Sequence, residues 1–380
     1  MKIWLLPVLV ALPLILCSCG SSPTADPTPA PAVVEFTSYI TDLSKISYII
    51  QPGNSSGTVI EPRSYLAINR TESTLEVFAP TAGELIGIGY YVARADGVPE
   101  YALYFKAGGT AYYFFAHLID VIPEISAAGP ASPQPTSAYV TPTVPVSVTA
   151  GELIGHSEGT PQARTFDFGA YDTANKNAVA NESRYSAEDR YLTGVNPYSY
   201  YSKDKRDAYL ALTGNPAGTI VPTTECRNPC RDVPGTAAGY WHLDSGTDAT
   251  YPSRMYVISE VDGSVYWGGV GGRDTDFKTA SNIPSDPAGF TTGDSYQYSG
   301  SAGYLFIKLL SSTELGVYLP PDRAITSLIL ASSAFALRNT ALSSESMVSA
   351  RNFIFSSSMI NTNPFSSGVN LAVIVSVNRS

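Results

Sequence analysis

Short runs in which apolar and polar residues alternate, broken every few positions by Gly, Pro or Asn-Ser, fill most of this chain between residues 33 and 320. A period of two is what a strand with one buried face requires. The runs are also rich in Tyr, Val, Ile, Phe and Thr, which fit a pleated surface. The pattern predicts strands over 75–79, 85–92, 101–105, 111–116, 144–148, 153–155 and 165–171. A second block predicts strands over 255–260, 264–268, 303–310 and 315–319, with Asp262-Gly263 as the hairpin turn between the first two. Helical spacing is confined to two short stretches, 186–191 and 201–212. In the latter, Lys203, Lys205 and Arg206 beside Asp204 and Asp207 mark a solvated face. The Pro/Ser/Ala-rich stretch 127–143 lacks alternation and reads as a long surface loop. The fold class expected is mainly β, in two domains.

Composition adds the compartment. Lys2 is followed by an apolar run to Leu16 and then Cys17-Ser18-Cys19-Gly20. This resembles the lipobox that ends a bacterial lipoprotein signal peptide, with Cys19 as the lipidated residue. Pro7 and Pro13 break the run, and it falls short of the roughly 20 residues a membrane span needs. Residues 20–33, dense in Pro, read as an extended tether. The resemblance implies residence in the cell envelope with the membrane as partner through the lipid, and Gly20 is similar to outer-membrane sorting signals. Acidic residues outnumber basic ones 33 to 23 without a basic cluster, which argues against a nucleic-acid partner. Cys226 and Cys230 are left either as a local disulfide, allowed in an oxidising compartment, or as two thiols. Half a zinc site is the rival reading, but no second Cys pair exists to complete it.

The segment Val77-Phe78-Ala79-Pro80-Thr81-Ala82-Gly83-Glu84-Leu85-Ile86 resembles the V-x-A-P-x-x-G-x-[VI] block of LytM/lysostaphin-type zinc metallopeptidases. Three later pieces follow in that family's order. Phe115-Ala116-His117-Leu118 looks like its Y-x-H-L strand, Gly151-Glu152-Leu153-Ile154-Gly155 like its G-x-x-[IV]-G turn, and Thr165-Phe166-Asp167-Phe168-Gly169 falls where its H-L-H-F-E strand belongs. The resemblance covers about residues 75–172 and implies an antiparallel LytM-like sheet over 34–225. A smaller β-rich domain would then span 226–322, ahead of a tail at 323–380. That tail loses its tyrosines and becomes rich in Ser, Asn, Ala and Leu, and reads either as an amphipathic closing element or as a poorly ordered end.

Chemistry departs from the resemblance. The family's hydrolysis uses zinc on three protein ligands with an open position for water. Two of those ligands belong to an H-x-x-x-D element before the first block, where this chain offers Ser64, Tyr65, Ile68 and Asn69 and no histidine precedes His117. At the H-x-H strand stand Thr165 and Asp167. His117 matches a catalytic histidine, yet without zinc it is expected to serve as a hydrogen-bonding group in a partly buried strand. His117 and Asp167 are therefore the candidate residues by family position, with no metal site and no cofactor expected. Zinc enters only in the alternative of an active wall endopeptidase with unconventional ligands.

Four other signals weigh less. Gly155-His156-Ser157-Glu158-Gly159 spells a serine-hydrolase elbow, with Asp167 and His242 following, but Gly159-Thr160-Pro161 replaces the helix such an elbow needs. It reads as a polar turn, with His156 a loop side chain. The glycine run 268–272 lacks a phosphate-binding Lys and reads as a turn. Asp167 with Asp172 is a weak candidate for a glycosidase pair. In the second block, which opens on Asp232-Val233-Pro234-Gly235, Trp241 and Trp267 are expected as core anchors, and at most one of Trp241 and His242 should point into that core. Surface tyrosines such as Tyr198, Tyr200 and Tyr201 would suit sugar rings. The function expected is a catalytically degenerate, envelope-anchored domain that binds peptidoglycan, an envelope polysaccharide or a wall-remodelling partner.

Overall fold

The computed structural model describes residues 34–56, 59–180, 182, 185, 190–243, 254–268, 286–293, 295–300, 303–312, 314–319 and 373–378. The leader with Cys19, the tether, residues 269–272 and most of the tail lie outside the described residues. The structure is mainly β and antiparallel, as the alternation predicts. Strands β1 (Ile46–Ile50), β2 (Asn54–Ser56), β3 (Val59–Glu61), β4 (Arg63–Ile68), β5 (Leu75–Phe78), β6 (Gly83–Tyr91), β7 (Glu100–Gly108) and β8 (Ala111–Leu118) come first. After them follow β9 (Asp120–Val121), helix α1 (Pro123–Ala128), β10 (Ser147–Val148), β11 (Leu153–Ser157), β12 (Thr165–Asp172), α2 (Arg190–Thr193), β13 (Gly194–Val195) and α3 (Lys203–Ala211).

The main sheet runs β1-β4-β12-β8-β7-β6-β10, with β13 beside β12, and a smaller sheet runs β5-β11-β9. Their facing sides share one core. Phe166 and Phe168 of β12, Tyr113 and Phe115 of β8, and Leu103 and Phe105 of β7 join Leu75, Val77 and Ile154 of the smaller sheet, all buried. Each such side chain contributes roughly 1.5–3 kcal/mol on burial. Because strand residues alternate, Asp167, Gly169 and Tyr171 of β12 and Phe114 and Ala116 of β8 fall on the opposite face. That second face carries the candidate site.

Several elements differ from the sequence reading for physical reasons. In β1 the pairing slips between Ile46 and Tyr48, so its apolar positions do not alternate, and β4 is buried at consecutive positions toward its end. Strand β10 keeps only Ser147–Val148 of the expected 144–148, starting past Pro145, which has no N–H for a ladder. Strand β11 runs on to Ser157, pairing with Leu75 of β5, so the turn expected from Gly155 begins only at Glu158. His156 is thus a strand residue, its Nδ1 2.7 Å from Asp120. Helix α3 occupies the predicted stretch, and α2 supplies the end of the other. Tyr198 and Tyr201 are buried in the core beneath α3 rather than offered to a ligand, and Tyr200 is half-covered.

The second sheet comprises β14 (Gly239–Leu243), β15 (Arg254–Ser259), β16 (Val265–Gly268), β17 (Ser295–Gly300), β18 (Gly303–Ser311), β19 (Glu314–Leu319) and β20 (Val373–Asn378). Its order is β16-β15-β14-β20-β19-β18-β17. Gly263 sits at φ 77°, as the Asp-Gly turn requires. Within the tail, β20 pairs with β14 on one side and β19 on the other. Trp241 is buried with its Nε1 donating to the Ala237 carbonyl, and His242 is buried too, so both faces of β14 are covered. The Trp267 side chain lies outside the described residues.

A polar seam ties this sheet to the hairpin β2–β3. Arg227 Nη1 donates to Glu260 Oε2 at 2.6 Å, Ser55 N donates to Oε1 at 2.7 Å, and Ile60 N donates to the Tyr240 hydroxyl at 2.6 Å. Cys226 and Cys230 flank this seam without a disulfide. Cys226 packs against the main core while Cys230 belongs to a cluster with Tyr191, Tyr240 and Tyr256, so the two side chains serve different cores.

Candidate functional site

Strand β12 lies between β4 and β8, with Asp167 opposite Tyr65 on one side and Ala116 on the other. This register brings together residues far apart in sequence. Asp167 is 1% exposed, and the Arg63 Nε stands 2.9 Å from its Oδ2. The N–H is not aligned for a hydrogen bond, and neither Asp167 oxygen receives one among the described residues. The contact is therefore an ion pair by proximity, with the guanidinium as the carboxylate's nearest cation. Arg63 also reaches Glu61 at 3.4 Å. Burial pushes the Glu61 carboxyl up, and the Arg63 charge opposes the push.

His117 faces Asp167 from β8. Its Nδ1 is 3.1 Å from Glu100 Oε2 and its Nε2 is 3.6 Å from Asp167 Oδ2. The ring gets there through a bulge: Ala116 and His117 together oppose Ala102, where the β7–β8 register shifts. His117 consequently sits at φ 64°, a left-handed conformation that costs a non-glycine residue about 1–2 kcal/mol. Ser157 holds the bulge, its Oγ donating to the His117 carbonyl at 2.6 Å and accepting from Gly159 N at 3.0 Å. Ser157 is thus fully buried at the end of a strand, where the sequence read as a polar turn. His242, the supposed triad base, lies on β14 in the other sheet.

Burial pulls the His117 pKa down, but the hydrogen bond to Glu100 and the charges of Asp167 and Glu100 outweigh it and hold the imidazole above its usual 6.5. Arg94, beneath the far side of Glu100, contacts it at 3.8 Å and pairs with Glu158 at 2.7 Å. Arg94 is shared with Asp96, 2.6 Å away, so carboxylates outnumber cations around His117.

These residues do not fit zinc. Glu100 and Asp167 approach opposite nitrogens of His117 rather than a common point. Among the described residues, no three His, Cys, Asp or Glu side chains form a set able to hold a metal ion. The guanidinium of Arg63 stands against the carboxylate that would have to be a ligand. Asp172 ends the same strand as Asp167, five residues on, or roughly 16 Å at about 3.3 Å per residue. That is too far for either glycosidase geometry, and Asp172 instead accepts from the Tyr200 hydroxyl at 3.2 Å.

Arg63, Glu100 and Arg94 escaped the sequence reading, which searched the stretch before the first block for metal ligands. The alternation Arg63-x-Tyr65-x-Ala67 was the available signal, since it places Arg63 on the face that Asp167 shares. No helix among the described residues is long and apolar enough to cross a membrane. No protein-family model, no curated protein and no solved structure matches the chain.

Proposed function

We propose that this chain is an envelope-anchored lipoprotein whose main sheet is a LytM-like scaffold turned from metal-dependent cleavage to binding, with peptidoglycan or another envelope polysaccharide as ligand. The observation that carries this reading is the Arg63 guanidinium 2.9 Å from the buried Asp167 carboxylate. A cation built into the chain neutralises the group that, by family position, would face zinc. Support also comes from strand order: β12 and β8, which carry two of the matched blocks, pair directly, and β4, from the stretch before the first block, lies on the other side of β12. Binding needs shape and hydrogen bonds, whereas cleavage also needs the metal and its activated water. Lipid on Cys19 and the Pro-rich tether would hold the sheet at the envelope, within reach of the wall.

The test is co-sedimentation of the full-length protein, solubilised in detergent, with purified sacculi. Retention above that of an unrelated lipoprotein, with no soluble muropeptide released, is the expected result. Retention no greater than the control's overturns the reading, and release of fragments by a metal-dependent activity revives the endopeptidase alternative.

A further inference from the structure

Away from His117, the face of the main sheet that carries Asp167 becomes an aromatic floor. Tyr104 of β7 and Phe114 of β8 stack with ring centroids 5.5 Å apart, and Tyr112 stacks on Tyr171 of β12 at 4.7 Å with the rings 2° from parallel. The Arg190 guanidinium lies over Tyr104, Phe114 and Tyr171 at 4.7, 4.5 and 5.5 Å from their centroids. Ala102, Ala116 and Tyr91 pack between this floor and the polar cluster.

Residues 131–143 run along the margin of the floor as a strap. Main-chain hydrogen bonds tie Gln134 to Tyr90 and Val92, and Val140 to Ile88. Every strap residue from 131 to 141 is exposed. Yet the ring of Tyr139, itself 54% exposed, rests 4.5 Å from the Tyr104 centroid. Gly87 makes the seat, because a Cβ there would come within 2.7 Å of Tyr139 Cδ2. Burying less than half of a tyrosine does not by itself account for a glycine that leaves its ring room. The Tyr139 ring leans on Tyr104 at 40° to its plane, holding a place at the edge of the floor that a ligand ring could take.

We propose that this floor is the glycan subsite of the domain, taking the face of an N-acetylhexosamine ring, and that Tyr139 is its resident competitor. The inference rests on the wall-binding reading and locates it. Arg190 already covers Phe114 and Tyr171, so the C–H face of a pyranose would take the part of Tyr104 that Tyr139 vacates, with the Arg190 N–H groups as donors to its hydroxyl and acetamido oxygens. A net charge of −10 favours a neutral sugar over a polyanionic one. The strap must lift its ring before a sugar enters, so the apparent affinity falls by the fraction of chains with the seat empty.

Calorimetric titration of the full-length protein with the N-acetylglucosamine tetramer, alongside sacculus co-sedimentation, tests this. Tyr139→Ser is expected to bind the tetramer about fivefold more tightly than wild type, as loss of one aromatic contact allows. Tyr139→Phe, which keeps the ring, should match wild type, and Arg190→Gln should bind more weakly. If Tyr139→Ser binds the tetramer no better than wild type while both are retained on sacculi, the competitor assignment is overturned and the wall-binding reading stands. If neither is retained on sacculi nor binds the tetramer, both fall.

Discussion

Arg63→Ala is expected to lower folding stability by about 3 kcal/mol, with a corresponding drop in the denaturant midpoint on chemical unfolding. Removing one partner of a buried ion pair usually costs about 3–5 kcal/mol, because the other charge is left uncompensated. The low end applies here since the Arg63 side chain is 31% exposed while Asp167 is 1% exposed. His117 offers partial compensation from 3.6 Å. The substitution also removes a positive charge that holds the His117 pKa down. His117 should therefore keep its proton to higher pH in the variant, a shift visible in the pH titration of its ring signals by NMR. Replacing both partners, as in Arg63→Met with Asp167→Leu, should recover only part of the loss, because Asp167 no longer leaves a lone charge but buried Glu61 still loses the cation 3.4 Å from it. An Arg63→Ala variant as stable as wild type would mean that Asp167 finds its counter-charge elsewhere.

Glu260→Ala is expected to cost still more, about 4–5 kcal/mol. At roughly 2–4 °C per kcal/mol for chains of about 150–250 residues, the melting temperature should fall by about 8–20 °C. Glu260 is 5% exposed, accepts from Arg227 and from Ser55 N, and lies near a second guanidinium. Burial, joined by the like charge of Arg227, pulls Arg231 down to about 10, and Glu260 counters that pull. Without the carboxylate the like charges of Arg227 and Arg231 lose the group that offsets them. Glu260→Gln, which keeps an oxygen for Ser55 N, should fall between wild type and Glu260→Ala. Differential scanning calorimetry decides it, and a Glu260→Ala transition within a degree or two of wild type would sink this account of the seam.

What the sequence carried, and what it did not, follows from how local each signal is. Strand β12 sets Phe166 and Phe168 into the core, as β7 does Leu103 and Phe105 and β8 does Tyr113 and Phe115, so the existence and the core face of these strands were readable. Strand β1 was not, because a register slip at Ile46 destroys the period of two. His117 and Asp167, both singled out in the sequence, stand 3.6 Å apart. The rest of the site depends on pairings between distant segments: Arg63 meets Asp167 only because β4 pairs with β12 in one register, and a slip of one residue would turn Arg63 away. Glu100 reaches His117 through a bulge that no pattern of residues announces. Tyr198 and Tyr201 misled in the opposite direction, because tyrosines beside a charged helix look exposed until that helix is seen to bury its Tyr209 against them. Strand β20 comes from a tail whose composition resembles no other part of the chain, yet its pairing with β19 is continuous from Val373 to Asn378.

The most direct test is calorimetric titration of zinc into the full-length protein. With the Arg63 guanidinium already serving the buried carboxylate, wild type should show no saturable zinc binding, and Asp167→Ala should give the same trace. Stoichiometric uptake by wild type that disappears in Asp167→Ala would contradict the account, because Asp167 would then be a metal ligand and not the partner of Arg63.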